Sequence, residues 1–238
     1  MKTWLKLFTV CLLFSVLTVS IQAEGGEPFV FSNTNEDALE GVFFFGESTT
    51  AHLARVGGIF DTDAHREKVL RDESGTRYLD RRILSSPVFY NGENVSFAEA
   101  VARARPRVMV LSFGLNGIMR WSRDPEAFLR NYRTLVEGIL SRSPNTKILL
   151  QSVYPVGENV AFEISKEELN QRIVNLNARI SGLANDYENV DYVNTAALLC
   201  DENGALNTIY DSGDGIHLKN EAYDVLLRFL CQRIAQIE

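Results

Sequence analysis

The sequence predicts an α/β sandwich built around a mostly parallel sheet. From Gly41 onward, short apolar runs alternate with longer stretches whose apolar residues recur at helical spacing. Continuous apolar runs are typical of strands buried on both faces, and their alternation with amphipathic helices is typical of parallel sheets. No internal repeat or low-complexity segment interrupts this pattern, so we expect one domain.

Four apolar runs and one ambiguous region are the strand candidates. The runs lie at 42–45 (VFFF), 107–112 (RVMVLS), 147–152 (KILLQS) and 190–193 (VDYV). Each is short and rich in apolar residues, which suits a buried strand. A weaker candidate lies within 66–84, where the pattern is ambiguous. The sequence therefore predicts about five strands.

Capping residues mark the helix starts. Ser96 and Ser165 are each followed three residues later by glutamate, the capping box in which both side chains bond free backbone N–H groups. Asp124 precedes a proline at the first helical position. Helices are therefore predicted after these three residues, and a last helix from about Lys219. Each carries an apolar stripe, which we interpret as core.

The first 23 residues have the features of a secretory signal peptide. Lys2 and Lys6 supply positive charge, residues 7–19 are an apolar run, and residues 20–23 (SIQA) offer small residues for cleavage. The apolar run is shorter than the ~20 residues of a comfortable membrane span. We therefore expect a secreted or extracytoplasmic protein without a stable membrane anchor after cleavage.

Removal of residues 1–23 leaves 215 residues, divided into a polar linker at 24–40 and the domain at 41–238. The formal net charge of −7 becomes −9 once the two lysines of the leader are gone. Basic residues form no cluster that would follow a phosphate backbone, so we expect no nucleic-acid partner. The sequence leaves the oligomeric state open.

The cysteines and histidines give no sign of a metal centre. Cys200 and Cys231 remain after leader removal, and they either pair in an oxidising compartment or serve as small buried hydrophobic residues. The sequence leaves both alternatives open. No Cys or His group has the spacing of metal ligands, and we predict neither a metal nor an organic cofactor.

Polar residues with catalytic chemistry stand at the predicted ends of strands or just before a helix. Ser48 follows the first strand, Asn116 follows the strand at 107–112, and Asp214 and His217 precede the last helix. Ligands of open parallel sheets bind outside the carboxyl ends of the strands, where the strand order reverses. We therefore expect these side chains to meet at one edge of the sheet.

This set of side chains suits ester hydrolysis by a serine nucleophile. A serine hydroxyl needs a base, usually a neutral imidazole, and a carboxylate on the other ring nitrogen fixes the tautomer. The three-residue spacing of Asp214 and His217 in a tight loop can bring carboxylate and ring together. The Asn116 side chain and the Ser48 backbone N–H could donate hydrogen bonds to the oxyanion.

Three motifs in this order resemble the SGNH (GDSL-type) hydrolases. Their Gly-Asp-Ser block stands here as GES at 46–48, their Gly-x-Asn-Asp block as GLNG at 114–117, and their Asp-x-x-His block as DGIH at 214–217. The resemblance covers the chain from about Gly41 to the C-terminus. It implies a flavodoxin-like three-layer α/β/α fold and a metal-free Ser-His-Asp esterase mechanism.

The resemblance also implies a role for each matched residue. It makes Ser48 the nucleophile and an oxyanion donor through its N–H, His217 the base, Asp214 the orienting carboxylate, and Asn116 an oxyanion donor. A further oxyanion donor in the family is the backbone N–H of a glycine in its second block. We choose Gly75 of the Ser-Gly-Thr run at 74–76 for this role.

Two residues depart from the family pattern, and one block is ambiguous. Glu47 replaces an aspartate, which lengthens the side chain by one methylene beside the nucleophile. Gly117 replaces the second acidic residue of the third block, so the function of that carboxylate is absent here. For the second block, Gly57 and Gly58 are alternatives to Gly75.

The loop after the 107–112 strand supplies the predicted substrate-binding residues, Gly114, Met119 and Trp121. Met119 and Trp121 could instead close the core beneath the next helix, and the sequence does not choose between these interpretations. His52 lies one helical turn after Ser48. Since such a partner projects along the same helix, we interpret His52 as structural or pocket-lining rather than as the base.

The sequence therefore predicts a secreted serine esterase that forms an acyl-enzyme with a small-molecule or carbohydrate ester. The short acyl group, such as acetate on a polysaccharide, is an expectation from the family and the leader. An acyltransferase that uses the same triad is one alternative. A catalytically silent glycan-binding module is the other, motivated by Glu47 and Gly117. Apart from any of these functions, the alternative to a catalytic role is a helix cap for Ser48 and a turn residue for Asn116.

Overall fold

The computed structural model describes residues 38–56, 60, 62–75 and 77–237. All of them belong to one unit of the chain, 31–238. The predicted signal peptide and residues 24–37 of the predicted linker lie outside the described residues. Leu39 is buried in the hydrophobic core, so the packed part of the chain includes residues before the predicted domain start at Gly41.

The strands confirm the predicted α/β class. They are β1 (Val42–Gly46), β2 (Val69–Leu70), β3 (Pro87–Tyr90), β4 (Glu93–Ser96), β5 (Val108–Ser112), β6 (Lys147–Gln151) and β7 (Val190–Val193). Five of them form a parallel sheet in the order β2-β1-β5-β6-β7, whereas β3 and β4 form a separate antiparallel hairpin. The four predicted apolar runs each match a strand to within one residue at either end. Among its described residues, the ambiguous region at 66–84 contributes only the short strand β2.

The described part of the chain has seven complete α-helices, and three of them begin directly after the predicted capping residues. The seven are α1 (Ser48–Ala51), α2 (Asp63–Arg66), α3 (Phe97–Ala104), α4 (Ile118–Trp121), α5 (Pro125–Leu140), α6 (Lys166–Ala184) and α7 (Asn220–Ile237). Ser96 and Ser165 each accept a hydrogen bond from the backbone N–H three residues on, at 3.2 Å, and Asp124 does the same for α5. The side chain of each predicted cap therefore satisfies a free donor of the first helical turn.

Alternate residues of the central strands face two different hydrophobic clusters. Phe45 and Leu111 belong to the cluster that includes the buried faces of α5 and α6. Phe44 and Val110 belong to the cluster that includes the buried face of α7. Because successive strand side chains point to opposite faces of a sheet, the central strands are covered on both sides. This is the three-layer arrangement that the family resemblance implies.

The strand order reverses between β1 and β5, and this reversal positions the site. Gly46, the last residue of β1, pairs with Ser112, the last residue of β5, so both strands end at the same edge. A Cβ on Gly46 would lie 2.3 Å from Thr50 Oγ1 and 2.5 Å from the Ser112 carbonyl oxygen. Only glycine therefore allows the chain to turn from β1 directly into α1.

The described residues include neither a membrane-spanning helix nor a metal-binding cluster of side chains. Within the described ranges, no helix combines the length and apolar character that a membrane crossing requires. In the same part of the chain, no group of three or more His, Cys, Asp and Glu side chains could hold a metal ion.

Candidate active site

Ser48, His217 and Asp214 form a continuous hydrogen-bonded chain at this edge of the sheet. His217 Nε2 lies 3.0 Å from Ser48 Oγ, and His217 Nδ1 lies 2.6 Å from Asp214 Oδ2. A neutral ring protonated on Nδ1 donates to the carboxylate and accepts the serine proton at Nε2. Of the four side chains that the sequence predicted to meet at this edge, the structure joins Ser48, His217 and Asp214 by hydrogen bonds.

Ser48 owes its position to the sharp change from strand to helix. It is the first residue of α1, and Glu47 before it has an extended backbone. The first N–H groups of a helix have no acceptor within the helix, so the Ser48 N–H is oriented for an external oxygen. Ser48 therefore presents both a hydroxyl and a backbone donor at the same point.

The loop that carries the carboxylate and the imidazole is held by its own turn. Asp214 Oδ1 accepts hydrogen bonds from the N–H groups of Ile216 at 2.9 Å and His217 at 2.8 Å. An aspartate that bonds to backbone two or three residues ahead forms a tight local turn. This turn leaves Oδ2 facing the His217 ring, as the three-residue spacing predicted.

A buried aspartate that the sequence did not single out anchors the same loop. Asp211 is 7% exposed, and its Oδ1 accepts hydrogen bonds from Gly213 N at 2.8 Å and Gly215 N at 3.0 Å. Gly215 has φ +75°, and a Cβ there would lie 2.5 Å from the Val160 nitrogen. The loop can therefore pack this closely only with glycine at 215.

The carboxylate of Asp214 is in its charged form at neutral pH. Its partial burial opposes ionisation, but the His217 ring and the N–H groups of His217 and Ile216 bond to the charged form. The balance lowers the pKa of Asp214 to about 2. Asp214 therefore remains an acceptor for the His217 ring throughout the neutral range.

Hydrogen bonds fix Asn116 in the loop that follows β5. Its Nδ2 donates to the Arg77 carbonyl at 2.9 Å, which orients the amide group and leaves a second N–H on the same nitrogen. The Asn116 carbonyl accepts a hydrogen bond from Trp121 Nε1 at 3.0 Å. The side chain and the backbone of Asn116 are therefore both fixed.

Glu47 binds the loop that contains Asn116. Its carboxylate accepts hydrogen bonds from the backbone N–H groups of Gly114, Leu115 and Asn116, at 2.9, 3.1 and 3.0 Å. Glu47 is buried, and burial raises its pKa to about 7 even though these three bonds favour the charged form. Glu47, the residue before Ser48, thus positions the loop that follows β5.

We expect Glu47→Gln to change how stability depends on pH. The pKa of Glu47 in the folded protein exceeds the ordinary value of 4.5, so the folded state retains a proton that the unfolded state has lost. The contribution of Glu47 therefore destabilises the fold as pH rises from about 4.5 to 7, by about 3 kcal/mol over this range. Because glutamine does not titrate, the Glu47→Gln variant should not show this pH-dependent loss of stability.

Urea unfolding of the wild type and Glu47→Gln at pH 5 and pH 8 measures this difference. The free energy of unfolding of the wild type should fall, relative to that of the variant, by the stated amount. Glu202→Gln, at an exposed glutamate, is the matched control. A wild-type-minus-variant difference that is the same at both pH values would contradict the expected titration.

The oxyanion-donor role of Gly75, chosen as the glycine of the second block, stays a prediction. The Gly75 N–H donates to the Asp72 carbonyl at 3.2 Å and to Asp72 Oδ1 at 3.0 Å, so in this conformation it is bonded within its own loop. A Cβ on Gly75 would lie 3.4 Å from the Ala51 Cβ, which places Gly75 beside α1, the helix that begins at Ser48. The alternatives Gly57 and Gly58 lie outside the described residues.

Trp121 supports Asn116 from inside the core. Its side chain is 2% exposed and packs against Phe128 with ring centroids 5.6 Å apart. A Cβ on Gly117 would lie 3.0 Å from the indole Nε1, and Gly117 has φ +89°. Trp121 therefore takes the core position that the sequence left open, and glycine at 117 suits this packing better than the acidic residue of the family.

The other two predicted substrate-binding residues also have partners within the protein. The Gly114 N–H bonds to Glu47, and a Cβ on Gly114 would lie 2.6 Å from Val153 Cγ2. Met119 is partly buried, and its Sδ lies 3.3 Å from Arg172 Nη1. A substrate-binding role for Gly114, Met119 and Trp121 stays a prediction.

The two cysteines and His52, which the sequence also singled out, make no hydrogen bond to Ser48 Oγ in the structure. Cys200 and Cys231 are both free thiols in the structure. The His52 ring packs against the His217 ring, with centroids 4.7 Å apart. The hydrogen bond to Ser48 Oγ is made by His217.

The comparisons with known proteins agree with this fold. Residues 44–225 match the model of the GDSL-like Lipase/Acylhydrolase family, whereas no curated protein matches the sequence. A GDSL-like lipase structure from Bacteroides thetaiotaomicron is 22% identical, covers 86% of this chain and 96% of its own, and has a TM-score of 0.55.

Two other solved structures share the fold at lower identity. An acetylxylan esterase from Geobacillus stearothermophilus is 16% identical over 81% of this chain and 93% of its own, with a TM-score of 0.51. A carbohydrate esterase family 3 protein from Talaromyces cellulolyticus is 12% identical over 82% and 96%, with a TM-score of 0.52. At these identities the likeness shows the fold alone.

Proposed function

Since the chain belongs to the GDSL-like lipase/acylhydrolase family and is a carboxylic ester hydrolase, we propose that Ser48 is its nucleophile. His217 is then the general base, and Asp214 orients the His217 ring. The observation that carries the proposal is the unbroken contact from carboxylate to imidazole to hydroxyl. It joins segments 169 residues apart in sequence.

The proposed reaction begins with proton transfer from Ser48 to His217. As Nε2 takes the proton, Oγ attacks the ester carbonyl carbon and the carbonyl oxygen becomes an oxyanion. The second N–H of Asn116 Nδ2 and the Ser48 N–H are the donors for this oxyanion. Collapse of the intermediate breaks the bond to the alcohol oxygen, which takes the proton from His217 and leaves the acyl group on Ser48.

Water then releases the acyl group by the same route. His217 takes a proton from the attacking water, a second oxyanion forms in the same position, and collapse returns the proton to Ser48 Oγ as the carboxylic acid leaves. The charged Asp214 stabilises the imidazolium in both halves of the cycle. No step requires a metal or a cofactor.

We further propose that the physiological substrate carries a short acyl group, such as acetate, on a carbohydrate. An acetylxylan esterase and a carbohydrate esterase share the fold, and the features of residues 1–23 support secretion to where polysaccharides occur. Secretion itself belongs to this proposal. It rests on the charged start, the apolar run and the small residues of that leader.

We expect the protein to release acetate from acetylated xylan and to prefer p-nitrophenyl acetate over p-nitrophenyl octanoate. Acetate is measured by NMR, with Ser48→Ala as the control and methanol as an added acceptor. Release by the wild type alone supports the hydrolase. Methyl acetate in excess of acetate would instead identify an acyltransferase. Equal release by wild type and Ser48→Ala, for all substrates, would contradict the proposed nucleophile.

A further inference from the structure

The ring of His52 packs against the ring of His217. The ring centroids are 4.7 Å apart and the ring planes are inclined by 31°. Aromatic rings at this separation attract each other when they are offset or tilted. Of these two rings, the proposed mechanism uses only that of His217. It gives His52 no role.

The position of His52 is tied to that of the nucleophile. His52 follows α1 directly, and the backbone N–H groups at the end of α1 bond back to the carbonyls of Ser48 and Thr50. One helical turn therefore separates the hydroxyl from the His52 ring. The ring contact connects the segment that carries the nucleophile with the distant loop that carries the base.

The contact with His52 can restrain the plane of the His217 ring, which the hydrogen bonds of His217 do not fully fix. Both nitrogens of the ring are hydrogen-bonded, to Asp214 Oδ2 and to Ser48 Oγ, but neither bond contacts the face of the ring. The Asp214 side chain is itself 52% exposed, so its surroundings restrain it only in part. A ring packed on the face of His217 restrains the plane, and the plane decides whether Nε2 faces Ser48 Oγ.

We propose that His52 is a positioning residue, whose ring holds the plane of His217 so that Nε2 faces Ser48 Oγ. This inference rests on the proposed function, in which His217 is the general base. His52 contacts no reacting atom in this arrangement. It acts on the reaction through His217.

The surroundings of His52 favour the neutral form of its ring, which is the form that the positioning role requires. The groups that act on it are His217 and Asp214, from the loop before α7, and Arg55, from its own turn. Burial, the charge of His217 and that of Arg55 lower the pKa of His52, while Asp214 acts in the opposite direction. A neutral His52 ring can face the imidazolium that forms at His217, whereas a protonated His52 would repel it.

Replacement of the ring tests the proposal. We expect His52→Ala to lower kcat for p-nitrophenyl acetate about tenfold with KM within about twofold, because a small displacement of a catalytic group reduces the rate but not substrate binding. His52→Phe keeps a ring at this position and should restore kcat to within about threefold of the wild type. The chain has three histidines, so His65→Ala in α2 is the matched control and should behave as the wild type.

A kcat of His52→Ala equal to that of the wild type would overturn the proposal, as would a His52→Phe variant no faster than His52→Ala. A measurement on the wild type avoids dependence on variant folding. The NMR spectrum of the histidine-labelled protein should show a nuclear Overhauser effect between the His52 and His217 rings, and its absence would also overturn the contact. Full activity of His217→Ala would instead contradict the proposed function itself.

Discussion

Alanine at His217 is expected to lower kcat for p-nitrophenyl acetate at least about a thousandfold, and alanine at Ser48 to have an effect of the same size. Without the imidazole, the Ser48 hydroxyl keeps its proton and cannot attack at an appreciable rate. Without the hydroxyl, no acyl-enzyme forms. Steady-state kinetics at pH 8 measure both losses.

The Ser48→Ala, His217→Ala double variant should be no slower than either single variant, because the two groups act as one unit. Far-UV circular dichroism checks that each variant is folded. His65→Ala is the histidine control, and His52→Ala should lose far less activity than His217→Ala. Losses that multiply in the double variant would contradict a shared proton transfer.

Alanine at Asn116 is expected to lower kcat about a hundredfold to a thousandfold while KM changes little. The second N–H of Nδ2 would bond to the oxyanion of the transition state more strongly than to the ground-state carbonyl, so its loss falls on kcat. Removal of one such donor typically raises the barrier by ~3–4 kcal/mol. Kinetics with p-nitrophenyl acetate separate kcat from KM.

Asn131→Ala is a matched control for loss of structure around Asn116. Asn131 Nδ2 donates to the Leu79 carbonyl at 3.2 Å, two residues along the chain from the Arg77 carbonyl that Asn116 binds. If Asn116 only secured this segment, both variants would lose activity to a similar degree. A selective loss at Asn116 supports a direct role, and a comparable loss at Asn131 would contradict it.

The motif residues were predictable because short-range patterns determine their positions. The turn from Asp214 to His217 spans four residues, and the β1-to-α1 turn is local to Gly46 and Ser48. The alternation of strands and helices then places the two segments at one edge of a parallel sheet. Local patterns and the general rules of this fold class together were sufficient to predict that these residues meet.

Contacts between distant segments were not predictable in this way. The sequence suggested only that Glu47 lengthens a side chain beside the nucleophile. The structure shows its carboxylate bonded to backbone N–H groups 67 to 69 residues away, which no local pattern encodes. Likewise, burial of Trp121 depends on its packing with Phe128, and the sequence could not choose this position over one facing the substrate.

The β3–β4 hairpin and two buried contacts of α6 had signals in the sequence that an analysis of apolar patterns alone does not use. Asn91 and Gly92 have φ values of +50° and +77°, and Asn-Gly is the dipeptide that favours a tight hairpin, here between β3 and β4. Asn170 and Asn177 lie seven residues apart on α6, and their amide groups bond to the backbone of Val156 and Val153. Polar residues within a predicted buried stripe were the signal of such contacts.

Reaction of the folded protein with a fluorophosphonate tests the activated serine most directly. The reagent phosphonylates a serine hydroxyl that a neighbouring base activates, and mass spectrometry of the digested protein locates the adduct. We expect one adduct per chain, on the peptide that contains Ser48, and none in the His217→Ala variant. A folded, unlabelled wild-type protein, or an adduct on another serine, would contradict the nucleophile on which the proposed reaction depends.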